Sequence, residues 1–157
     1  MKKKRRSAAS IVLGNKLWIL GGEGDINSER TSEYFSPSNG SIEYGPDLPI
    51  GLCRHAAIKI NDTTSMLIGG VDTENEGDSA KTWFYSHLTE QWIDGPDLLE
   101  ARSTLAVGLI MDSMTQELLI VVTGGYEYSN YNDYLKSIEI LNLDIYVDQN
   151  TWKSGKT

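Results

Sequence analysis

"GPDLPIGLCRHAA" (residues 45–57) and "GPDLLEARSTLA" (residues 95–106) are near copies of one phrase, fifty residues apart. A single packed domain has no need to repeat itself, whereas a chain built from copies of one structural unit does. Other marks recur in the same order. Arg6, Arg54 and Arg102 each precede an apolar run, at two spacings of 48 residues. Glycine pairs follow at Gly21-Gly22, Gly69-Gly70 and Gly124-Gly125. An aromatic stands 22 residues after the first pair (Tyr44) and the second (Trp92), and 27 after the third (Trp152). The third copy carries about seven extra residues, within "IMDSMTQE".

Each unit reads as four short strands. In the first, "SAASIVL" and "KLWILGG" flank the hairpin dipeptide Gly14-Asn15, and "TSEYFS" and "SIEYG" flank Pro37 and Asn39-Gly40. The second offers "HAAIKI", "SMLIGG", "KTWFYS" and "EQWIDG"; the third offers "TLAVGLI", "ELLIVVTGG", "KSIEILNL" and a short "TWKSG". Long helical periodicity is absent, and Val, Ile, Tyr, Trp and Thr dominate the runs. The chain is therefore expected to be all-β. A glycine ending a strand permits positive φ and close backbone approach. The aromatic of the fourth strand supplies apolar area between stacked sheets. Four-stranded units with a period near fifty make a propeller pattern.

Gly-Gly, a Tyr or Phe on the next strand, a tryptophan further on, then "GPDLP" and an arginine together resemble the kelch repeat. The resemblance spans residues 6 to 155 as three units. The second is the fullest, with Arg54, Gly69-Gly70, Phe84-Tyr85, Trp92 and Pro96. It implies a partial kelch-type β-propeller of three four-stranded antiparallel blades. The expected division is a basic tail at 1–6 and blades at 7–50, 51–99 and 100–157. Propellers generally close with four to eight blades, so three blades imply either further blades in a longer parent chain or self-association. The resemblance implies a non-catalytic protein-interaction module, such as the substrate-recognition part of a cullin ubiquitin-ligase adaptor. The alternatives it implies are an actin-binding scaffold and a fragment of a propeller enzyme such as a copper-radical oxidase.

Composition narrows the partners. The net charge is −8, of which "KKKRR" at 2–6 contributes +5, so the remainder carries −13. An acidic body argues against nucleic acid, whose phosphates need Lys and Arg. The basic start doubles as a candidate nuclear address, although such runs are more often solvated tails. A lone cysteine, Cys53, excludes an internal disulfide and fits a reducing, cytoplasmic setting. No apolar run reaches the length of a membrane span, and no signal-peptide core follows the basic start.

Catalytic and metal motifs fail on inspection. "SGKT" at 154–157 has Asn150 where a phosphate loop needs glycine, and "GGEGDIN" lacks the third glycine of a dinucleotide fingerprint. "DTENEGDSAKTW" ends on Trp83 where a calcium loop needs glutamate. His55 reads as a structural residue and His87 as a solvated hairpin residue, so no cofactor or metal is expected.

Antiparallel topology puts the loops that follow Gly-Gly on one face with the "GPDL" connectors. Glu23, Asp25, Glu29 and Glu33 in the first loop, with Arg30, sum to −3, as do Asp72, Glu74, Glu76 and Asp78 in the second, with Lys81. The third loop holds Tyr126, Tyr128, Tyr131 and Tyr134. An acidic rim with tyrosines is the expected surface for a basic protein partner.

Overall fold

The computed structural model describes residues 1–27, 29–127, 134–144 and 151–155, and these residues contain strands but no helix. Three four-stranded antiparallel sheets form the body of a partial β-propeller. In chain order the strands are β1 (Arg5–Arg6), β2 (Ala9–Leu13), β3 (Lys16–Leu20), β4 (Glu23–Gly24), β5 (Ser32–Ser36), β6 (Ser41–Tyr44), β7 (Leu52–Cys53), β8 (Ala56–Lys59) and β9 (Thr64–Ile68). They continue with β10 (Val71–Asp72), β11 (Gly77–Asp78), β12 (Thr82–Ser86), β13 (Gln91–Asp94), β14 (Ala106–Met111), β15 (Leu118–Thr123), β16 (Ile138–Asn142) and β17 (Lys153–Ser154). The sheets run β2-β3-β5-β6, β8-β9-β12-β13 and β14-β15-β16-β17, each in chain order from the innermost strand outward. The inner strand β8 lies against β2 on one side and β14 on the other.

Alternation along the strands builds two cores between the blades. Ile11, Leu13, Trp18 and Leu20 of the first sheet meet Leu67, Trp83 and Tyr85 of the second. Met66 and Ile68, on the opposite face of the second sheet, meet Ile120, Val122, Leu141 and Trp152 of the third. Leu48 and Leu98, from the two "GPDL" connectors, plug one core each. Apolar burial between neighbours is what holds such repeats together.

Strand register corrects two of the expected equivalences. Phe35 faces Ile42, and Tyr85 faces Trp92, so Ile42 rather than Tyr44 occupies the tryptophan position of the first blade. The second blade's post-glycine loop is two residues longer, and that shifted the count from the glycines. The arginine equivalence also moves. The amide of Gly22 donates to Leu52 O and that of Gly70 to Arg102 O, both at 2.8 Å. Hence Leu52, not Arg54, is the counterpart of Arg102, and Arg5, not Arg6, is the counterpart in the first blade.

The basic start is also not a tail. β1 pairs with β4, and the Arg5 side chain is only 1% exposed, with its guanidinium 2.7 Å from the buried carboxylate of Glu33. Glu33 further accepts the amides of Lys2 (2.5 Å) and Lys3 (3.0 Å). Arg5 Nη1 caps the carbonyls of Gly21 (2.5 Å) and Thr31 (3.0 Å). The third blade repeats this clamp. Glu139 accepts Leu99 N (2.6 Å), Glu100 N (3.2 Å) and Arg102 Nη2 (2.6 Å), while Arg102 Nη1 reaches Gly124 O at 2.8 Å. The second blade substitutes all three parts together. Leu52 replaces the arginine, Trp83 replaces the glutamate, and Pro49, which has no N–H, stands where Lys2 and Leu99 donate. Two blades are clamped by buried charge and one by apolar packing.

His55 presents a different case. It occupies the place of Ala8 and Leu105 in the other blades, is buried, and neither ring nitrogen has a hydrogen-bond partner. Burial lowers its pKa from 6.5 to about 4. Above pH 6.5 the ring is neutral in both folded and unfolded chains. Between pH 6.5 and about 4 only the unfolded chain takes up the proton, so stability falls across that window by about 3 kcal/mol. Urea denaturation at pH 7 and pH 4.5 should show this component, and His55→Leu should remove it. An unchanged pH dependence in His55→Leu would assign the loss elsewhere.

Candidate functional site: the connector face

The glycine pairs create the face. All six glycines have positive φ: 59° and 89° in the first pair, 59° and 97° in the second, 65° and 107° in the third. That reversal turns the chain out of each second strand and lays the next residues along the connector. β4 therefore pairs with β1, and β10 pairs with β7 on one side and β11 on the other. In the third blade, Ser103 bridges Tyr126, which bridges Tyr134. Connectors and post-glycine loops are thus hydrogen-bonded to each other on a single face.

The acidic residues placed there by sequence separate into distinct roles. Glu33 is fully buried in the Arg5 clamp and cannot touch a partner. Burial pushes its pKa up, but the Lys2 amide and the Arg5 guanidinium outweigh this and hold it below the ordinary glutamate value. Glu23 lies between two arginines, 3.3 Å from Arg6 and 3.6 Å from Arg54. Asp25 is exposed and accepts the Lys4 amide at 2.8 Å. Glu29 is half-buried, and its carbonyl receives Leu52 N.

In the second loop, Asp72 accepts the amides of Glu74 (2.9 Å) and Asn75 (3.2 Å) and shapes the turn. Glu74 forms a 2.7 Å ion pair with Arg30 of the first loop, and Thr73 N reaches Gly51 O at 3.0 Å. These contacts brace neighbouring loops. Asp78 is half-buried in β11, while Glu76, at φ 53°, points to solvent. Tyr134 is 83% exposed with its ring 5.8 Å from that of Tyr126. Tyr128 and Tyr131 lie outside the described residues.

The expectation of a uniformly acidic rim is corrected. The five cations of residues 2–6 fold onto the first loop, whose −3 thereby becomes +2, so that of the first two loops only the second stays acidic. Arg6, Arg30 and Arg54 are also members of this surface, and none of them was among the residues expected to meet a partner. The signal for Arg6 was positional, because "KKKRR" stands where the other blades have a connector.

Between the first two loops lies a cleft of about 410 Å³ lined by Glu23, Glu29, Cys53, Arg54, Thr73 and Glu76. Burial, helped by the Glu23 charge, pushes the Cys53 thiol up from its usual value, so it stays protonated. His87 is half-buried rather than fully solvated, its ring T-shaped to that of Trp18 with centroids 6.2 Å apart. Among the described residues, no three His, Cys, Asp or Glu side chains are grouped to hold a metal, and no helix is long and apolar enough to cross a membrane.

No family model matches the chain. It is similar to N-acetylneuraminate epimerase of Salmonella typhi, 31% identical over 78 residues, covering 43% of this chain and 20% of that protein. The N-acetylneuraminate epimerases of Salmonella enteritidis PT4 and Salmonella typhimurium LT2 are each 30% identical over 78 residues, covering 43% of this chain and 20% and 19% of theirs. The chain spans about a fifth of the length of the curated relatives it matches.

Proposed function

We propose that the chain is a kelch-type propeller segment whose connector face binds a protein partner without catalysis. The observation that carries this reading is the tyrosine pair of exposed Tyr134 and half-buried Tyr126, on the face that also presents Glu76. Aromatic rings anchor interfaces, and exposed charge of one sign speeds encounter with a partner of the other. The partner is accordingly basic over the part that meets the second loop.

The test begins with a photocrosslinking residue at position 134, which captures the partner for kinetic work. Glu76→Gln with Asp78→Asn should slow association several-fold, with an effect that fades at high salt. Tyr126→Ala with Tyr134→Ala should speed dissociation about tenfold or more. Unchanged rates in both variants would move the site off this face.

A second reading is favoured by the epimerase similarity. The cleft bears Arg54 beside Glu23, and Arg6 is Glu23's other partner, a pairing of cations with a carboxylate suited to an anionic sugar. Proton NMR of N-acetylneuraminate incubated with the protein distinguishes the two. Epimerisation that is lost in Arg54→Ala would establish the enzymatic reading.

A further inference from the structure

Each internal seam joins the trailing face of one blade to the leading face of the next, and two such faces have no mate within the chain. On the first blade's leading face, Leu17 (38% exposed) pairs with Phe35, which pairs with Ile42. Their counterparts in the other blades are buried against a neighbour: Leu17 corresponds to Ser65 and Ile120, at 2% and 0%. On the third blade's trailing face stand Ile110 (49% exposed), Val121 and Ile140. Ile110 corresponds to Leu13, which is fully buried in the first seam.

The two open faces depart from the internal seams in matching ways. At the internal seams an indole crosses to the preceding connector: Trp92 Nε1 donates to Asp47 O, and Trp152 Nε1 to Pro96 O, both at 2.9 Å. The connector is held in place by a hydroxyl of the third strand, Ser32 to Pro46 O (2.7 Å) and Thr82 to Pro96 O (2.8 Å). The open leading face has Ile42 at the indole position. The open trailing face has Ile138 at the hydroxyl position. Both halves of the polar seam are missing together, and an isoleucine replaces each. Met1, 63% exposed, stands at the place of the connector plugs Leu48 and Leu98.

We propose that these two faces are mates, and that a second copy of the chain docks head to tail on the first. Each trailing third blade then covers the other copy's leading first blade. Two three-bladed arcs make six blades, within the range at which propellers close. Closure at two copies removes both open faces, whereas a seam that failed to close would propagate into filaments. The inference is independent of what the connector face binds.

Sedimentation velocity of the whole chain across a concentration series is the test. The expected particle has twice the 17.4 kDa chain mass and dissociates on dilution. Leu17→Glu and Ile110→Glu, both at exposed positions, should each weaken the dimer at least tenfold. Mixing the two variants should restore a dimer, since one seam in the pair is then free of substitution. Ile93→Glu, at an exposed position on neither open face, should change nothing. A wild-type monomer would mean that something other than a second copy covers these faces, and it would overturn the proposal. So would an open-ended polymer, or a dimer indifferent to both substitutions.

Discussion

Arg102→Leu is expected to cost about 3–5 kcal/mol of folding stability, because it strands a buried carboxylate. Glu139 is 2% exposed and would keep two backbone donors but lose the guanidinium at 2.6 Å. Gly124 O and Ser137 Oγ would lose a donor as well. Size is not the difficulty, since the second blade accommodates Leu52 at the same place. The difference is that Trp83 and Pro49 accompany Leu52. The triple variant Arg102→Leu, Glu139→Trp, Leu99→Pro should therefore recover most of the loss. Urea denaturation at one fixed protein concentration, with tryptophan emission as the signal, measures all three proteins; the concentration must be held because association shifts apparent stability. A single variant as stable as the wild type would contradict the clamp.

Gly70→Val should be comparably damaging, by about 3 kcal/mol or more, through two separate causes. At φ 97° a β-branched residue is strained whatever space surrounds it. Space is also lacking, because a Cβ there would sit 2.5 Å from His55 Cβ and 2.8 Å from Cys53 O. Gly40→Val separates the two causes. Its φ is also positive, at 69°, but nothing lies within 4 Å of the added carbon. Gly40→Val should lose only the strain component, of order 1–3 kcal/mol. Equal losses at both positions would show that crowding at Gly70 has no weight.

The strands and their grouping were legible because each depends on local signals. β-branched and aromatic runs, separated in the first blade by Gly-Asn and Asn-Gly turns, produced all twelve blade strands, and the glycine pairs adopt the positive φ their position suggested. Register was less legible. Counting from the glycines to Tyr44 assumed loops of equal length, and only the facing of Phe35 with Ile42 shows the two-residue difference. Arg6 was aligned by residue type when the structural position belongs to Arg5. Nothing local reveals that Glu33 is buried, since its neighbours "ERTSE" read as a charged loop. Its burial depends on Arg5, 28 residues away. The charge of the connector face was misjudged for the same reason, as residues 2–6 act on a loop remote in sequence.

The clamp also dictates where such a chain can be cut and recombined. Arg102 lies before the third blade in sequence, yet its guanidinium reaches Gly124, Ser137 and Glu139, all within that blade. The clamp residues of each connector thus belong functionally to the blade it enters, although its Pro46 or Pro96 carbonyl is held by a hydroxyl of the blade it leaves. Exchange of modules at the strand boundary, just ahead of β8 or β14, would mismatch an apolar connector with a glutamate, or an arginine with Trp83. Moving the crossover back to the "GPDL" phrase keeps each connector with its own blade. Gradual interconversion of the two clamp types is equally constrained, since changing either charged partner first passes through a chain with a lone buried charge.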